Sequence, residues 1–205
     1  MEQRTSEWFA ARLGCVTASR TADVMAKTKS GYSTSRANYM AQLITERLTQ
    51  TPTEGFSSAA MQWGTETEPQ ARAAYELMTG AEVVEEGFVA HPTIEGFGAS
   101  PDGLVGDDGL LEIKCPNSAT HIDTLLAEKV PAKYVTQMQV QMLCTGRQWC
   151  DFVSFDPRLP GDMNYWCQRV QADPVRQAEI AEEVQKFLGE LDEKLNALKA
   201  KFDAV

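Results

Sequence analysis

The amino-acid sequence predicts an α/β (α+β) fold in which helices flank a central mixed, mostly antiparallel sheet. Helical spacing of apolar residues dominates the chain up to residue 80, and it returns in residues 172–205. Between these parts, short apolar runs bounded by turn residues lie at 82–116 and 149–171. Strands enclosed between helical segments in this order are typical of a sheet covered by helices.

Four segments in the first part of the chain have apolar residues at helical spacing and predict helices: residues 5–13, 19–27, 34–49 and 59–79. Thr5 or Ser6 can cap the first of these helices, and Ser19 can cap the second. The fourth is predicted to be interrupted between Gly64 and Pro69, because proline lacks the N–H group that a helix interior needs.

Strands and further helices alternate in the second part of the chain. The runs that predict strands are residues 82–91, 98–116, 149–156 and 164–171. Helices are predicted at 119–129 and 131–144, and again at the C-terminus. In that last helix, apolar residues recur at steps of four and three: Val184, Leu188, Leu191, Leu195, Leu198 and Phe202. Packing of this stripe within the chain is favoured over an oligomer contact.

Length and composition predict one domain, 1–205. The chain has 205 residues, of which 43% are hydrophobic, and this is enough for one sizeable core. It has no apolar run of about 18 residues and its N-terminus has no apolar h-region, so neither a membrane span nor a signal peptide is expected. Five isolated cysteines without a CxxC pair are typical of a reducing compartment, which predicts a cytoplasmic protein.

The charges are unevenly distributed along the chain. The net charge of −10 disfavours binding of nucleic acid through bulk positive charge. Residues 51–112 contain twelve acidic residues and a single basic one, Arg72. Most of these acids keep the protein soluble, but their concentration in one region also suggests carboxylates gathered around a metal ion.

The stretch GASPDGLVGDDGLLEIKCP, residues 98–116, predicts a hairpin. A two-residue loop would pair Val105 with Glu112 and so mix core and polar residues on one face. A three-residue loop, with Gly109 in the left-handed conformation, separates them, and we therefore prefer it. Asp102 then faces Lys114, and Glu112 lies on their side of the hairpin. The opposite face is apolar and carries Val105, Leu111 and Ile113.

Two carboxylates set a few ångströms apart in this hairpin suggest a cation site. Asp102 and Glu112, with a backbone carbonyl such as that of Ile113, provide the hard oxygen ligands that suit Mg²⁺ or Mn²⁺. Lys114 would offset their charge and could activate a water molecule or stabilise a phosphorane-like transition state. The alternative interpretation is a charge-paired hairpin on a solvated face.

The same residues resemble a known nuclease signature. Ser100-Pro101-Asp102 followed by Glu112-Ile113-Lys114 matches the PD-(D/E)xK pattern of metal-dependent phosphodiesterases. Five blocks in order (EWFAARLGCVTASR, WGTETEPQAR, GASPDGL, LEIKCP and QMQVQM) are similar to the lambda-type phage exonucleases that partner single-strand annealing proteins in recombination. The resemblance covers roughly residues 4–155 and implies a restriction-endonuclease-like core at 61–171. Residues 1–60 would shape the DNA-end site, and 172–205 would form a C-terminal helix.

The resemblance also implies the roles of individual residues. Those expected to be catalytic are Glu68, Asp102, Glu112, Lys114 and Gln139. Two Mg²⁺ ions, replaceable by Mn²⁺, would be held by Asp102, Glu112 and the Ile113 carbonyl, and Glu68 would hold a metal-bound water. Lys114 would orient or deprotonate the attacking water. Of the two glutamines in QMQ, Gln139 is preferred over Gln137 as the one that reaches the site.

A pocket for a terminal 5′-phosphate is implied as well. Its residues would be Arg12, Ser19 and Ser100, since an arginine fork and hydroxyl donors both suit phosphate oxygens. A helix beginning at Ser19 would add N–H donors. Met61 falls where a relative places an apolar wedge that splits the terminal base pairs.

The resemblance therefore predicts a Mg²⁺-dependent 5′→3′ exonuclease that acts on duplex DNA ends, releases mononucleotides and leaves a 3′ overhang for an annealing protein. Similar enzymes form a ring-shaped homotrimer, in which only the channel needs positive charge. The candidate channel residues are Lys27, Lys29, Arg36, Lys129 and Lys133. Two alternatives stay open: another PD-(D/E)xK endonuclease, and a catalytically inactive module that binds DNA ends.

Overall fold

The structure, a computed structural model, describes residues 2–53 and 58–202. Residues 1, 54–57 and 203–205, which belong to the predicted N-terminal part and C-terminal helix, lie outside the described residues. The helices are α1 (Ser6–Arg12), α2 (Thr21–Met25), α3 (Thr34–Thr49), α4 (Ala59–Thr79), α5 (Ser118–Ala127), α6 (Ala132–Thr145) and α7 (Pro174–Phe202). The strands are β1 (Val16–Thr17), β2 (Lys27–Thr28), β3 (Gly31–Tyr32), β4 (Val83–Val84), β5 (Val89–Ala90), β6 (Phe97–Ala99), β7 (Gly103–Val105), β8 (Gly109–Lys114), β9 (Trp149–Phe155) and β10 (Tyr165–Gln171).

A five-stranded sheet with the strand order β10-β9-β8-β7-β4 forms the centre of the protein. β8 and β9 run parallel, and the other three neighbouring pairs are antiparallel. The one parallel pair follows from the chain order, because α5 and α6 form the crossover between these two strands. The predicted mixed, mostly antiparallel sheet is therefore confirmed. β1, β6 and β5 form a smaller sheet, in which β1 and β6 are parallel.

Helices cover both faces of the central sheet. Apolar residues of α4 and of one sheet face share a core: Ala71, Tyr75, Val105, Leu111, Ile113, Val153 and Phe155. A second core lies between α6 and the opposite face: Leu110, Met138, Met142, Cys150 and Phe152. The sheet is therefore the middle layer, and the side chains of β8 alternate between the two helical layers.

α7 packs on the N-terminal helices and the small sheet. Val184, Leu188, Leu191 and Leu195 are buried, as the prediction of packing within the chain requires. Val184, Leu188 and Leu191 share a core with Tyr39 and Leu43 of α3 and with residues of β1 and β6. The last two members of the stripe, Leu198 and Phe202, are 40% and 68% exposed. None of the helices in the described part of the chain combines the length and apolar character needed to cross a membrane.

Two predictions about the helices are wrong. α4 continues through Pro69 without an interruption, because Thr67 and Ala71 on either side of the proline are buried and hold the helix in place. Ser19 does not cap α2. The chain already turns as a 3-10 helix over Ala18–Arg20, so Ser19 lies within that turn and Arg20 stands at the N-cap position of α2.

The predicted hairpin register is also wrong, although its loop length is correct. Val105 pairs with Gly109, so the loop is Gly106-Asp107-Asp108 and the left-handed residue is Gly106, with φ 53°. Gly109 is a strand residue, where a Cβ atom would lie 2.1 Å from the Trp149 ring. The sequence was ambiguous because glycines flank both sides of the loop and each is needed for a different reason. The shift of two positions leaves every side chain on its predicted face.

Candidate active site

The two carboxylates of the hairpin lie side by side. The Asp102 N–H donates to the Leu111 carbonyl at 3.1 Å, and the Asp102 carboxylate accepts from the Ile113 N–H at 2.7 Å. Asp102 is therefore level with Glu112 of β8, whereas the predicted register set it opposite Lys114. Glu112 is fully buried, and it forms an ion pair with Lys114.

Two glutamines of α6 bind the Glu112 carboxylate. Gln137 donates to Oε1 at 2.7 Å, and Gln141 donates to Oε2 at 2.6 Å. Residues four positions apart lie on the same face of a helix, so both amides point at the sheet from one side. Each oxygen of this buried carboxylate thus has a donor, which fixes the orientation of the carboxyl group.

Gln139 does not reach this site, contrary to the prediction. It lies on the opposite face of α6, where its amide donates to the Gln171 carbonyl and accepts from the Asp173 N–H, each at 2.8 Å. A step of two residues rotates a side chain about 200° around a helix, so only one glutamine of a QxQ pair can face the sheet. The four-residue spacing of Gln137 and Gln141 was the signal in the sequence that could have identified the correct pair.

Burial and the neighbouring charges together shift the pKa values of Asp102 and Lys114. Burial, and then the Glu112 carboxylate, raise the pKa of Asp102 well above its usual value, because its carboxyl group is crowded by protein although the residue keeps some exposed surface. Burial by itself would lower the pKa of Lys114, but Glu112 and Asp102 outweigh it and raise this pKa above its usual value. Lys114 is therefore an ammonium group in this arrangement.

Glu68 lies beside Asp102 on α4 and is bound by two arginines. Arg4 contacts Oε2 at 2.7 Å, and Arg72 contacts Oε1 at 3.1 Å. Arg72 also donates to the Asp102 carbonyl at 3.3 Å and forms an ion pair with Glu85. Glu68 and Arg72 have the i, i+4 spacing of a helical ion pair, whereas Arg4 lies 64 positions from Glu68 and no local pattern predicts its contact.

The donor set fits a divalent cation. Asp102 and Glu112 are adjacent carboxylates whose repulsion a bound cation would relieve, and the Ile113 carbonyl lies between Glu112 and Lys114 in the chain. Among residues 2–53 and 58–202, no group of three or more His, Cys, Asp or Glu side chains is close enough to hold a metal ion on its own. Two carboxylates and a backbone carbonyl are therefore the protein ligands that this site offers. The carboxylate of Glu68 is paired with Arg4 and Arg72 instead.

Arg12 contacts Ser100, which lies two residues before Asp102 in the chain. The Arg12 guanidinium donates to the Ser100 hydroxyl at 2.9 Å, and the Trp8 indole N–H donates to the same oxygen at 3.0 Å. Arg12 also stacks on the Trp8 ring, 3.9 Å from its centroid. Burial lowers the pKa of Arg12 from its ordinary value, although the group remains a cation. No local sequence pattern assigns this contact to Trp8, because its partner lies 92 positions away.

Ser19 reaches the same end of the small sheet by a different route. β1 and β6 are parallel, with Val16 paired to Phe97 and Thr17 paired to Gly98. Ser19 lies in the 3-10 helix that follows β1, and Ser100 directly follows β6, so both residues come just after the ends of this parallel pair. Ser19 is exposed, and its hydroxyl lies 3.5 Å from that of Thr17.

Met61, the predicted wedge, lies in the first turn of α4 and is 61% exposed. Of the candidate channel residues, Lys29, Lys129 and Lys133 are exposed, and Lys27 forms an ion pair with Glu183. Arg36 is only 5% exposed, which contradicts its assignment to a channel surface. Its guanidinium is 2.6 Å from Glu190 and is stacked on Tyr32, because α7 covers this part of α3.

Comparisons with known proteins agree with this architecture. The model of the YqaJ-like viral recombinase domain matches residues 7–148. The crystal structure of LHK-Exo in complex with dAMP has 60% identity and a TM-score of 0.90, and covers 96% of this chain and 97% of that chain. A crystal structure of the alkaline exonuclease LHK-Exo from Laribacter hongkongensis gives 59% identity, a TM-score of 0.90 and the same coverage.

A more distant structure shares the fold. The phage related exonuclease from Haemophilus somnus 129PT has 17% identity and a TM-score of 0.73, and covers 90% of this chain and 96% of that chain. A comparison with curated proteins gives no match. The resemblance to phage exonucleases found in the sequence is confirmed by the family model and by the two LHK-Exo structures. On these grounds, the chain belongs to the YqaJ-like viral recombinase family.

Proposed function

We propose that this protein is a Mg²⁺-dependent 5′→3′ exonuclease that digests one strand of duplex DNA from its end. The observation that carries the proposal is the position of the Arg12–Ser100 pair only two residues before Asp102, beside the Asp102–Glu112–Lys114 cluster. The segment Ser100-Pro101-Asp102 would thus connect the candidate phosphate pocket to the candidate hydrolytic centre. The relatives named as exonucleases support the same activity.

The candidate hydrolytic centre divides its roles among a few residues. Asp102, Glu112 and the Ile113 carbonyl would hold the cations, which would polarise the scissile phosphate and lower the pKa of the attacking water. Gln137 and Gln141 keep both Glu112 oxygens in place for that purpose. Lys114 would orient or deprotonate the attacking water and would stabilise negative charge on the phosphate.

The polarity follows from the anion pocket. Arg12 would pair with the oxygens of a terminal 5′-phosphate, while the hydroxyls of Ser100 and Ser19 would donate to them. A strand fixed by its terminal phosphate would present the next phosphodiester to the acids, so each cut would release one nucleoside 5′-monophosphate and leave a 3′ overhang. LHK-Exo binds dAMP, a compound of that product class.

The assembly and partners are proposed from the family. We expect a single nuclease domain that forms a homotrimeric ring around the duplex in the bacterial cytoplasm and transfers its 3′ overhang to a single-strand annealing protein. Met61, exposed at the start of α4, is the candidate wedge at the duplex end.

The test is digestion of a linear duplex that carries a 5′-phosphate on one strand and a 5′-hydroxyl on the other. With Mg²⁺ we expect faster shortening of the phosphorylated strand, release of mononucleotides, and no digestion in EDTA. Arg12→Gln should remove the preference between the two ends, whereas Arg176→Gln, an equal charge change on α7, should retain it. Equal loss of both strands in the wild type would overturn the phosphate pocket. Cleavage of closed circles would favour the endonuclease alternative.

A further inference from the structure

The four residues that precede α1, Glu2–Thr5, form a strap that reaches the acidic site. The Gln3 side-chain amide donates to the Pro101 carbonyl at 2.7 Å and to the Glu86 carbonyl at 2.8 Å. The Thr5 hydroxyl caps α1 by accepting from the Trp8 N–H, and it donates to the Glu2 carbonyl at 2.9 Å. Thr5 therefore joins the strap to α1, and Gln3 holds it next to the Pro101-Asp102 pair.

Arg4, between these attachments, has an unusual backbone conformation. Its φ is 68°, in the left-handed region that L side chains rarely adopt. In this conformation its guanidinium lies 2.7 Å from Glu68. Such conformations persist where the surroundings enforce them, and they are concentrated at functional sites.

The strap and the acids also share a cavity of about 120 Å³, which is lined by Glu2, Gln3, Arg4, Glu68, Pro69, Arg72, Glu85 and Asp102. Arg4 therefore lines the same cavity as Glu68 and Asp102.

The two arginines on Glu68 are held very differently. Arg72 is 16% exposed and is anchored to Glu85 and to the Asp102 carbonyl. The Arg4 side chain is 48% exposed, and its only ion pair among the described residues is with Glu68. Exposed ion pairs are weak, so Arg4 can leave at little cost whereas Arg72 stays in place.

From this geometry we propose that Arg4 is a built-in counter-ion of Glu68, which competes with the divalent cation for this carboxylate and so acts as a positioning residue. The proposal rests on the metal centre at Asp102 and Glu112 in the proposed function, and on the role that the family resemblance implies for Glu68, which is to hold a metal-bound water there. Like charges repel, so removal of the Arg4 cation should strengthen the binding of a second cation nearby. The side chain therefore sets the metal concentration at which the site fills.

The test measures Mn²⁺ binding to the full chain without DNA, from the EPR signal of free Mn²⁺. Arg4→Gln should lower the Mn²⁺ concentration at half-saturation about threefold to tenfold. Arg4→Gly, which suits the left-handed backbone, should do the same, while Arg4→Lys should remain near the wild type. The matched control is Arg176→Gln, which removes an exposed, ion-paired arginine on α7 and should change nothing.

Each outcome bears on a different claim. Unchanged or weaker Mn²⁺ binding in Arg4→Gln and Arg4→Gly, with a wild type that binds Mn²⁺, overturns the role of Arg4 and leaves the proposed function intact. If Arg176→Gln also bound Mn²⁺ more tightly, the effect would be due to net charge alone, and the proposed role of Arg4 would be overturned. The wild-type protein should also bind Mn²⁺ in a way that Asp102→Asn abolishes. If it shows no such binding, the metal centre and the Arg4 proposal are overturned together.

Discussion

At the scale of single residues, the candidate site depends on contacts that fix charged groups. Glu112 has no exposed surface, yet both of its oxygens accept hydrogen bonds from α6 and it pairs with Lys114. A buried carboxylate without such donors would be expensive to ionise. The donors thus hold the Glu112 carboxyl group in one orientation, as a metal ligand requires.

The structure places Gln137, and not Gln139, at the candidate site, and this assignment can be tested directly. Gln137→Ala removes an amide from the Glu112 carboxylate, and we expect the rate of strand digestion to fall at least about tenfold, since a donor to a charged group contributes roughly 1.5–3 kcal/mol. Gln139→Ala removes the contacts with Gln171 and Asp173 and should lower the melting temperature, while the folded enzyme keeps its rate. A greater loss of rate in Gln139→Ala would restore the prediction made from the sequence.

Lys114 provides the second test at this scale. Lys114→Ala removes the ammonium from the acid cluster, and we expect cleavage to disappear while the affinity for duplex ends changes little, because the anion pocket at Arg12 is untouched. Strand digestion and end binding by fluorescence anisotropy measure the two effects separately. Lys199→Ala, at the exposed end of α7, is the control. A digestion rate near the wild type in Lys114→Ala would exclude the proposed mechanism.

At the scale of elements, one carboxylate connects the end of β9 to its surroundings. Asp156 is fully buried and accepts from the Arg158 backbone N–H at 3.1 Å and from its guanidinium at 2.7 and 3.0 Å. Arg158 in turn stacks on Trp63 of α4 and donates to the Pro116 carbonyl after β8. Burial alone would raise the pKa of Asp156, but hydrogen bonds from Arg158 and Ser118 lower it to about 2.

This lowered pKa predicts an acid-sensitive contribution to stability. A carboxyl group whose pKa is lower in the folded state stabilises the fold above its unfolded pKa of 3.8, and this contribution is lost as the pH falls towards 2. Asp156→Asn should therefore reduce the free energy of unfolding at neutral pH by no more than about 2 kcal/mol, since Arg158 is partly exposed. The difference from the wild type should vanish near pH 2, as measured by urea unfolding. Asp107→Asn, in the exposed hairpin loop, is the control, and a difference that persists in acid would contradict the assignment.

How far the sequence predicts these elements depends on the range of the interactions that form them. The two faces of the hairpin were predictable, because alternation of side chains survives a shift of two positions. The register was not, since the need for glycine at Gly109 comes from Trp149, 40 positions away. The continuity of α4 through Pro69 and the choice of Gln137 likewise depend on which helix face meets the sheet, and such contacts are absent from local spacing.

At the scale of the whole molecule, α7 joins the N-terminal helices to the rest of the fold. Leu191 has no exposed surface, and Leu198, one heptad later, is 40% exposed. Leu191→Ala should lower the free energy of unfolding by about 2–5 kcal/mol, because it leaves a cavity in the core that α7 shares with α3. Leu198→Ala, the same change on the same stripe, should cost much less. Equal effects in urea unfolding would mean that Leu198 is covered as well, as an oligomer contact would do.

The net charge of −10 sets the last prediction, because it opposes any binding of DNA to the outer surface. If the protein held the duplex only by basic side chains, its run length on DNA would fall steeply between about 50 mM and about 200 mM salt, as counterion release requires. A closed trimer around the duplex would instead be retained by its topology, and salt would weaken only the initial loading. We therefore expect that digestion started before addition of a heparin trap proceeds equally far at both salt concentrations, while digestion started after the trap is blocked. A run length that shortens with salt would exclude encirclement, and a sedimentation mass other than three times the 22.6 kDa chain would exclude the trimer.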